Sequence, residues 1–129
     1  HEKETVHFFT ENDRVNQVAE AIAKGDGEKL LKILEESGRS SWELLQNCCS
    51  LSNYKEQKIT LYLALTEFFL KKVKDGCCRV HGGGFAGVIM SIVAEKDVEA
   101  YVQYLSKFMN KENIYPLRIR KYGAVHLEK

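Results

Sequence analysis

Between residues 79 and 89 the chain reads Arg79-Val80-His81-Gly82-Gly83-Gly84-Phe85-Ala86-Gly87-Val88-Ile89, with four glycines in six positions. Glycine loses more conformational freedom on folding than any other residue. It also permits positive φ and lets another backbone or a phosphate come where a Cβ would intrude. Such a cluster therefore needs a geometric or functional reason. Its flanks restrict the choice: Cys77 to His81 alternate with period two, and Val88 to Ala94 form a continuous apolar, β-branched run expected of a covered central strand. With Asp75-Gly76 as the entering turn, the glycines are expected to form the loop of a β-hairpin.

Most of the remaining pattern is helical. Thr10 to Lys24 predicts an amphipathic helix that starts at Thr10 and Asp13, buries Val15, Val18, Ala19 and Ile22, and stops at Gly25. A second helix follows Asp26, carries Leu30, Leu31 and Leu34 and ends near Gly38. Ser40 with Glu43 resembles a capping box opening a third around Trp42, Leu44 and Leu45. Tyr54 to Val73 is the longest candidate and is apolar nearly all round, as in a helix buried against several neighbours. Asp97 to Asn110 returns to helical spacing through Val98, Tyr101, Val102, Leu105 and Phe108. Ile114 to Arg120 then alternates as a strand, placed late or at an edge by Pro116, and Tyr122-Gly123 allows a turn into a last strand, Ala124 to Leu127. That order predicts an α+β fold in one domain over residues 1–129, with helices packed on a mostly antiparallel sheet.

Composition excludes rather than identifies. A net charge of +1 gives no general pull toward nucleic acid or anionic membrane, and no apolar run approaches the ~20 residues of a membrane span. The expectation is a soluble, cytoplasmic protein, without a nucleic-acid or membrane partner. The four cysteines form two adjacent pairs, Cys48-Cys49 and Cys77-Cys78, which suit neither a metal knuckle nor a redox couple and read as buried, reduced thiols. His7 and His126 lie too far apart in sequence to suggest a shared metal site. Trp42 reads as a core or interdomain anchor, and Lys71-Lys72-Val73-Lys74 as cations opposing the negative end of a helix dipole.

Several phosphate-binding loops share the glycine pattern. Gly82-Gly83-Gly84-Phe85-Ala86-Gly87 satisfies G-x-G-x-x-G, but the dinucleotide fingerprint must open a helix, and here the loop runs into Val88-Ile89-Met90-Ser91-Ile92-Val93. A protein-kinase loop does lie between strands. Only 42 residues follow Gly87, however, without room for the catalytic and metal-binding segments. The Gly-Lys-Ser/Thr of a Walker A loop is missing. What remains is either a hairpin of glycines pressed by a neighbouring element or a phosphate-facing loop.

The segment Arg79 to Ile92 resembles the third motif of the GHMP kinase family, specifically its galactokinase branch. His7-Phe8-Phe9-Thr10-Glu11-Asn12-Asp13-Arg14-Val15 resembles the opening of the galactokinase C-terminal domain, and Arg39-Ser40-Ser41-Trp42-Glu43-Leu44-Leu45-Gln46-Asn47 a segment that follows it. Leu117-Arg118-Ile119-Arg120 with Gly123-Ala124-Val125 resembles the closing hairpin. The matches occur in the family's order over nearly the whole chain. Ala86 departs from the pattern, since many relatives carry glycine there.

The resemblance implies a ferredoxin-like C-terminal domain whose partner, an N-terminal kinase domain of the same protein, is not part of this chain. It also implies that the sugar-recognition motif, the Ser-rich phosphate motif and the catalytic aspartate with its arginine belong to that other domain, so no catalytic residue is assigned here. Gly82, Gly83, Gly84, Phe85, Ala86 and Gly87 would line the cleft in which ATP and Mg2+ serve phosphorylation of galactose at its anomeric hydroxyl. The chain alone is expected to be folded, inactive and without bound cofactor. An exposed interdomain face would allow pairing with a second copy. The alternative is a free-standing or regulatory module of the same fold that binds a ligand or protein without catalysis. Arg79 and His81 flank the loop on one strand face, Arg79 as a solvated or interdomain salt-bridging group or one that reaches an anion, and His81 as a hydrogen-bonded structural histidine. Whether Gly83 and Gly84 touch phosphate or allow close packing is open at this level.

Overall fold

Residues 1–84 and 87–119 are described by the computed structural model of this chain. Helix α1, Glu2–Lys24, opens well before the expected Thr10 and ends on Gly25 at φ 66°. Helix α2, Gly27–Ser40, starts as expected at Asp26, whose carboxylate accepts the Lys29 amide at 3.0 Å. It does not stop at Gly38. Ser40 is helical, at φ −57° and ψ −43°, and the chain runs on into a π-helical turn, Ser41–Leu45. The expected capping box is absent because the Ser40 hydroxyl is occupied elsewhere, 3.0 Å from Nδ1 of His7. Helix α3, Lys58–Val73, is shorter than expected at its start and ends, as the lysines suggest, on Lys74.

The hairpin forms where its alternation places it. Strand β1, Cys77–His81, pairs antiparallel with β2, Val88–Ile92, in a register running from Cys77 opposite Ile92 to His81 opposite Val88. A 3-10 turn, Glu95–Asp97, then leads into helix α4, Val98–Leu105.

Helices cover both faces of this hairpin. On one side α3 contributes Ile59 and Leu63 to a core with Cys48 and Val80, against which Cys78 and Ile89 pack. Phe69 and Leu70 continue it toward Tyr101 and Leu105 of α4. Inside this apolar layer three hydroxyls meet: the Tyr101 hydroxyl lies 2.8 Å from both Thr66 Oγ1 and Ser91 Oγ, tying α4 to α3 and β2 through two hydrogen bonds. On the other side α2 lies against β1, with Gly38 packed directly on the Cβ of Arg79. Helix α1 lies on α2 as an outer layer.

The α+β class is as the pattern predicts, but the sheet among the described residues has two strands. Ile114–Ile119 is not a strand. Pro116 has no amide to give a ladder, and Leu117 and Ile119 are 87% and 99% exposed, so no burial offsets the cost of ordering them there. The predicted last strand, Ala124 to Leu127, lies outside the described residues. Among them, no helix is long and apolar enough to cross a membrane.

Candidate functional site: the glycine hairpin

The loop between β1 and β2 is built from glycines with different duties. Gly84 has φ 78°, and a Cβ on it would run into the carbonyl oxygen of Asn47 and lie 2.9 Å from that residue's own Cβ and Cγ. Two constraints thus coincide there, a left-handed backbone and contact with another chain segment. Asn47 is itself fixed. It is buried, and its side-chain amide donates to the Ser41 hydroxyl at 2.9 Å. The tip of the hairpin therefore rests on the turn that follows the π-helical segment. Gly87 closes the loop, its amide donating to the Gly84 carbonyl at 3.1 Å.

Gly82 and Gly83 differ from Gly84 in having nothing within 4 Å of a would-be Cβ, and both are exposed. Gly82 takes φ 67°, which the turn itself requires. Gly83 has no positive φ and no close neighbour among the described residues. No described residue explains why it is glycine. Phe85 and Ala86, the other expected loop residues, lie outside the described residues.

The stem of the hairpin is held by polar groups. The Arg79 guanidinium donates to the Ser37 hydroxyl and, through Nε, to the Val80 carbonyl at 3.1 Å. Ser37 in turn donates to Oε2 of Glu11 at 2.6 Å, and the other Glu11 oxygen accepts from Arg14 at 2.6 Å. The chain Arg79–Ser37–Glu11–Arg14 thus crosses from β1 through α2 to α1. Burial by itself would raise the Glu11 carboxyl, but hydrogen bonds from Ser37 and Arg14 outweigh it and hold the group below its ordinary range.

Arg79 makes no salt bridge among the described residues; its guanidinium is held by a hydroxyl and a carbonyl of its own domain, and so fits neither the salt-bridging nor the anion-reaching expectation. His81 is exposed at the base of the loop and its ring has no hydrogen bond among the described residues, contrary to the expected structural role. Beside Arg79 a cleft of about 340 Å³ opens between α2 and α3, with Trp42, Glu35 and Glu67 on its walls. Trp42 stands at its rim, 37% exposed, and is not a core anchor.

The cysteines are free thiols, with Cys48 and Cys77 buried and Cys49 and Cys78 half-buried. Burial pushes Cys48 and Cys77 up to about 11 and Cys78 up to about 12, the last aided by the nearby Glu67 carboxylate. These three stay protonated and unreactive near neutral pH. His7 hydrogen-bonds Ser40, and His126 lies outside the described residues. No group of three metal-ligating side chains occurs among the described residues.

Sequence reasoning missed Glu11, Ser37, Ser41 and Asn47. One signal was available: His7, Glu11 and Arg14 recur at helical spacing, so a polar stripe faces one direction. Ser37-Gly38, two small residues late in a helix, likewise mark a close approach. The comparisons with known proteins return nothing: no family model, curated protein or solved structure matches this chain.

Proposed function

We propose that this chain is the C-terminal domain of a galactokinase-type sugar kinase, supplying the glycine hairpin as one wall of a cleft in which ATP phosphorylates galactose at the anomeric hydroxyl. The observation that carries the reading is Gly83. It sits in the hairpin loop without a positive φ and with no described residue within 4 Å of a would-be Cβ, which leaves room for a group approaching from outside. Backbone amides in such a loop can donate to phosphate oxygens without a side chain in the way. Phosphoryl transfer asks chiefly for positioning and charge stabilisation, so a wall of fixed amides is a useful contribution even from a domain with no general base.

The ordered likeness of residues 7–15, 39–47 and 79–92 to the galactokinase pattern supports the same reading. In it, the catalytic carboxylate, the sugar contacts and the Mg2+-supported phosphate site come from a partnering N-terminal domain. The ferredoxin-like arrangement belongs to the proposal too: among the described residues β2 pairs only with β1, and its other edge is bordered by a broad apolar trough between β2 and α4 that reaches Leu117. An edge with an apolar floor is where further strands of a ferredoxin-like sheet would add.

Galactose-dependent ATP consumption measured on the natural protein that contains this chain, and on the chain alone, tests the proposal. Turnover is expected from the first and none from the second. Turnover by the isolated chain overturns the division of labour. Silence from both favours the non-catalytic binding module.

A further inference from the structure

The tip of the glycine hairpin rests on Asn47, and the backbone that delivers Asn47 departs twice from regular geometry. Helix α2 runs on into the π-helical turn Ser41–Leu45, and Gln46, which closes that turn, stands in the left-handed region at φ 54°. Single π turns are rare and recur at functional sites. Left-handed helix ends are usually glycine or asparagine, and a glutamine there carries the strain of its Cβ. Strain of this kind persists where the surroundings over-determine the backbone, and it clusters at ligand-facing sites.

The surroundings of Asn47 do over-determine it. Its side-chain amide donates to the Ser41 hydroxyl at 2.9 Å across the π turn, and the two residues are only 2% and 3% exposed. The next residue, Cys48, lies in the core, and its carbonyl accepts from the Thr60 hydroxyl of α3 at 3.0 Å. Among the described loop glycines only Gly84 meets this post. A Cβ on Gly84 would lie 2.9 Å from Cβ and Cγ of Asn47, whereas Gly82 and Gly83 have no described neighbour within 4 Å of theirs.

We propose that Asn47 is a positioning residue for the nucleotide: braced by Ser41, it sets the height of Gly84 and with it the place at which the amides of Gly82 and Gly83 meet the phosphates of ATP. The inference rests on the kinase reading of the hairpin and adds to it two residues that act through Gly84 rather than by contact with substrate. A loop of glycines has no side chains of its own to hold its shape. Hydrogen bonds weaken steeply with misalignment, and a misplacement of about 1 Å at a phosphoryl-transfer site is costly in rate. A buried amide–hydroxyl pair is directional and is shielded from competing water, so it defines the loop tip more sharply than an apolar support would.

Steady-state kinetics of galactose-dependent ATP consumption, on the natural protein that contains this chain, tests it with Asn47→Ala and Ser41→Ala. KM does not depend on the fraction of enzyme that is folded, so a variant that only loses stability lowers the apparent kcat and leaves KM in place. Both variants are expected to raise KM for ATP about fivefold or more, while KM for galactose stays within about twofold of wild type. Gly84→Ala, which disturbs the same contact from the loop side, gives the same ATP-selective rise and carries the test where a buried variant fails to fold. KM for ATP unchanged in these variants, or KM for both substrates raised together, overturns the positioning role and leaves the kinase reading standing. Wild-type protein without galactose-dependent turnover overturns the kinase reading, and this inference with it.

Discussion

The two faces of the β-hairpin are held in contrasting ways. Toward α3 and α4 the contact is an apolar layer of Val80, Leu63, Phe69, Leu70 and Leu105, pinned by the Thr66–Tyr101–Ser91 hydroxyls. Toward α2 and α1 it is a single file of polar groups, Arg79–Ser37–Glu11–Arg14, with Gly38 giving β1 its close approach. Apolar burial is non-directional and fixes how firmly the hairpin is attached. A chain of charge-assisted hydrogen bonds is directional and fixes where the stem points. The glycine loop projects from between them, positioned from one side and anchored from the other.

The comparison breaks most visibly on the apolar side. Phe69→Ala should destabilise the domain by about 3–5 kcal/mol, read from urea unfolding midpoints, because a buried aromatic leaves a cavity its neighbours only partly fill. On the polar side Ser37→Ala should cost about 1–3 kcal/mol, since it leaves Glu11 and Arg79 without their shared partner. A loss on the polar side matching Phe69→Ala would abolish the distinction between firmness and direction. Gly84→Ala should cost more than about 1 kcal/mol, the alanine being both at positive φ and against Asn47. Crystallography of that variant should show the loop tip displaced from Asn47 while the Arg79 stem stays in place.

Acid sharpens the comparison with a smaller effect. The folded state holds the Glu11 carboxyl below its ordinary value of 4.5, so the stability it adds is full above that value and is lost as pH falls through the folded-state value. Unfolding midpoints of wild type and Glu11→Gln should therefore diverge at pH 6 and converge toward pH 3. A constant difference over that range would remove Glu11 from the network. The buried cysteines and Tyr101 ionise well above this window and do not contribute to it.

The two sides were unequally legible in the sequence. Alternation located β1, and the continuous apolar run located β2, which ends at Ile92 and, expected as a covered central strand, is half-buried with Val88 exposed. Apolar density located α3, although Leu61 and Phe68 leave one of its sides exposed rather than buried all round. Helix α1 defeated the same logic. Of the expected core face, Val15, Ala19 and Ile22 are exposed and only Val18 is half-buried; the buried side instead combines Val18 and the fully buried Ala21 with the polar His7, Glu11 and Arg14. Hydrophobic periodicity finds an apolar face without saying what it faces. Ser40 with Glu43 matched a capping box, but the hydroxyl belongs to a long-range pair with His7, which local pattern cannot show. The distinction between Gly83 and Gly84 was equally hidden, because it depends on Asn47, a residue distant in sequence that meets the loop only in the folded chain.

That distinction carries the central claim. Gly83→Val introduces a side chain where the domain has open space and no positive φ, so stability should change by less than about 0.5 kcal/mol. In the natural protein containing this chain, the same substitution should lower kcat/KM for ATP in galactose phosphorylation at least tenfold, with the thermal midpoint unmoved. Turnover indifferent to valine at this position would contradict the account, because Gly83 would then face nothing and the hairpin would be a turn rather than a wall of the cleft.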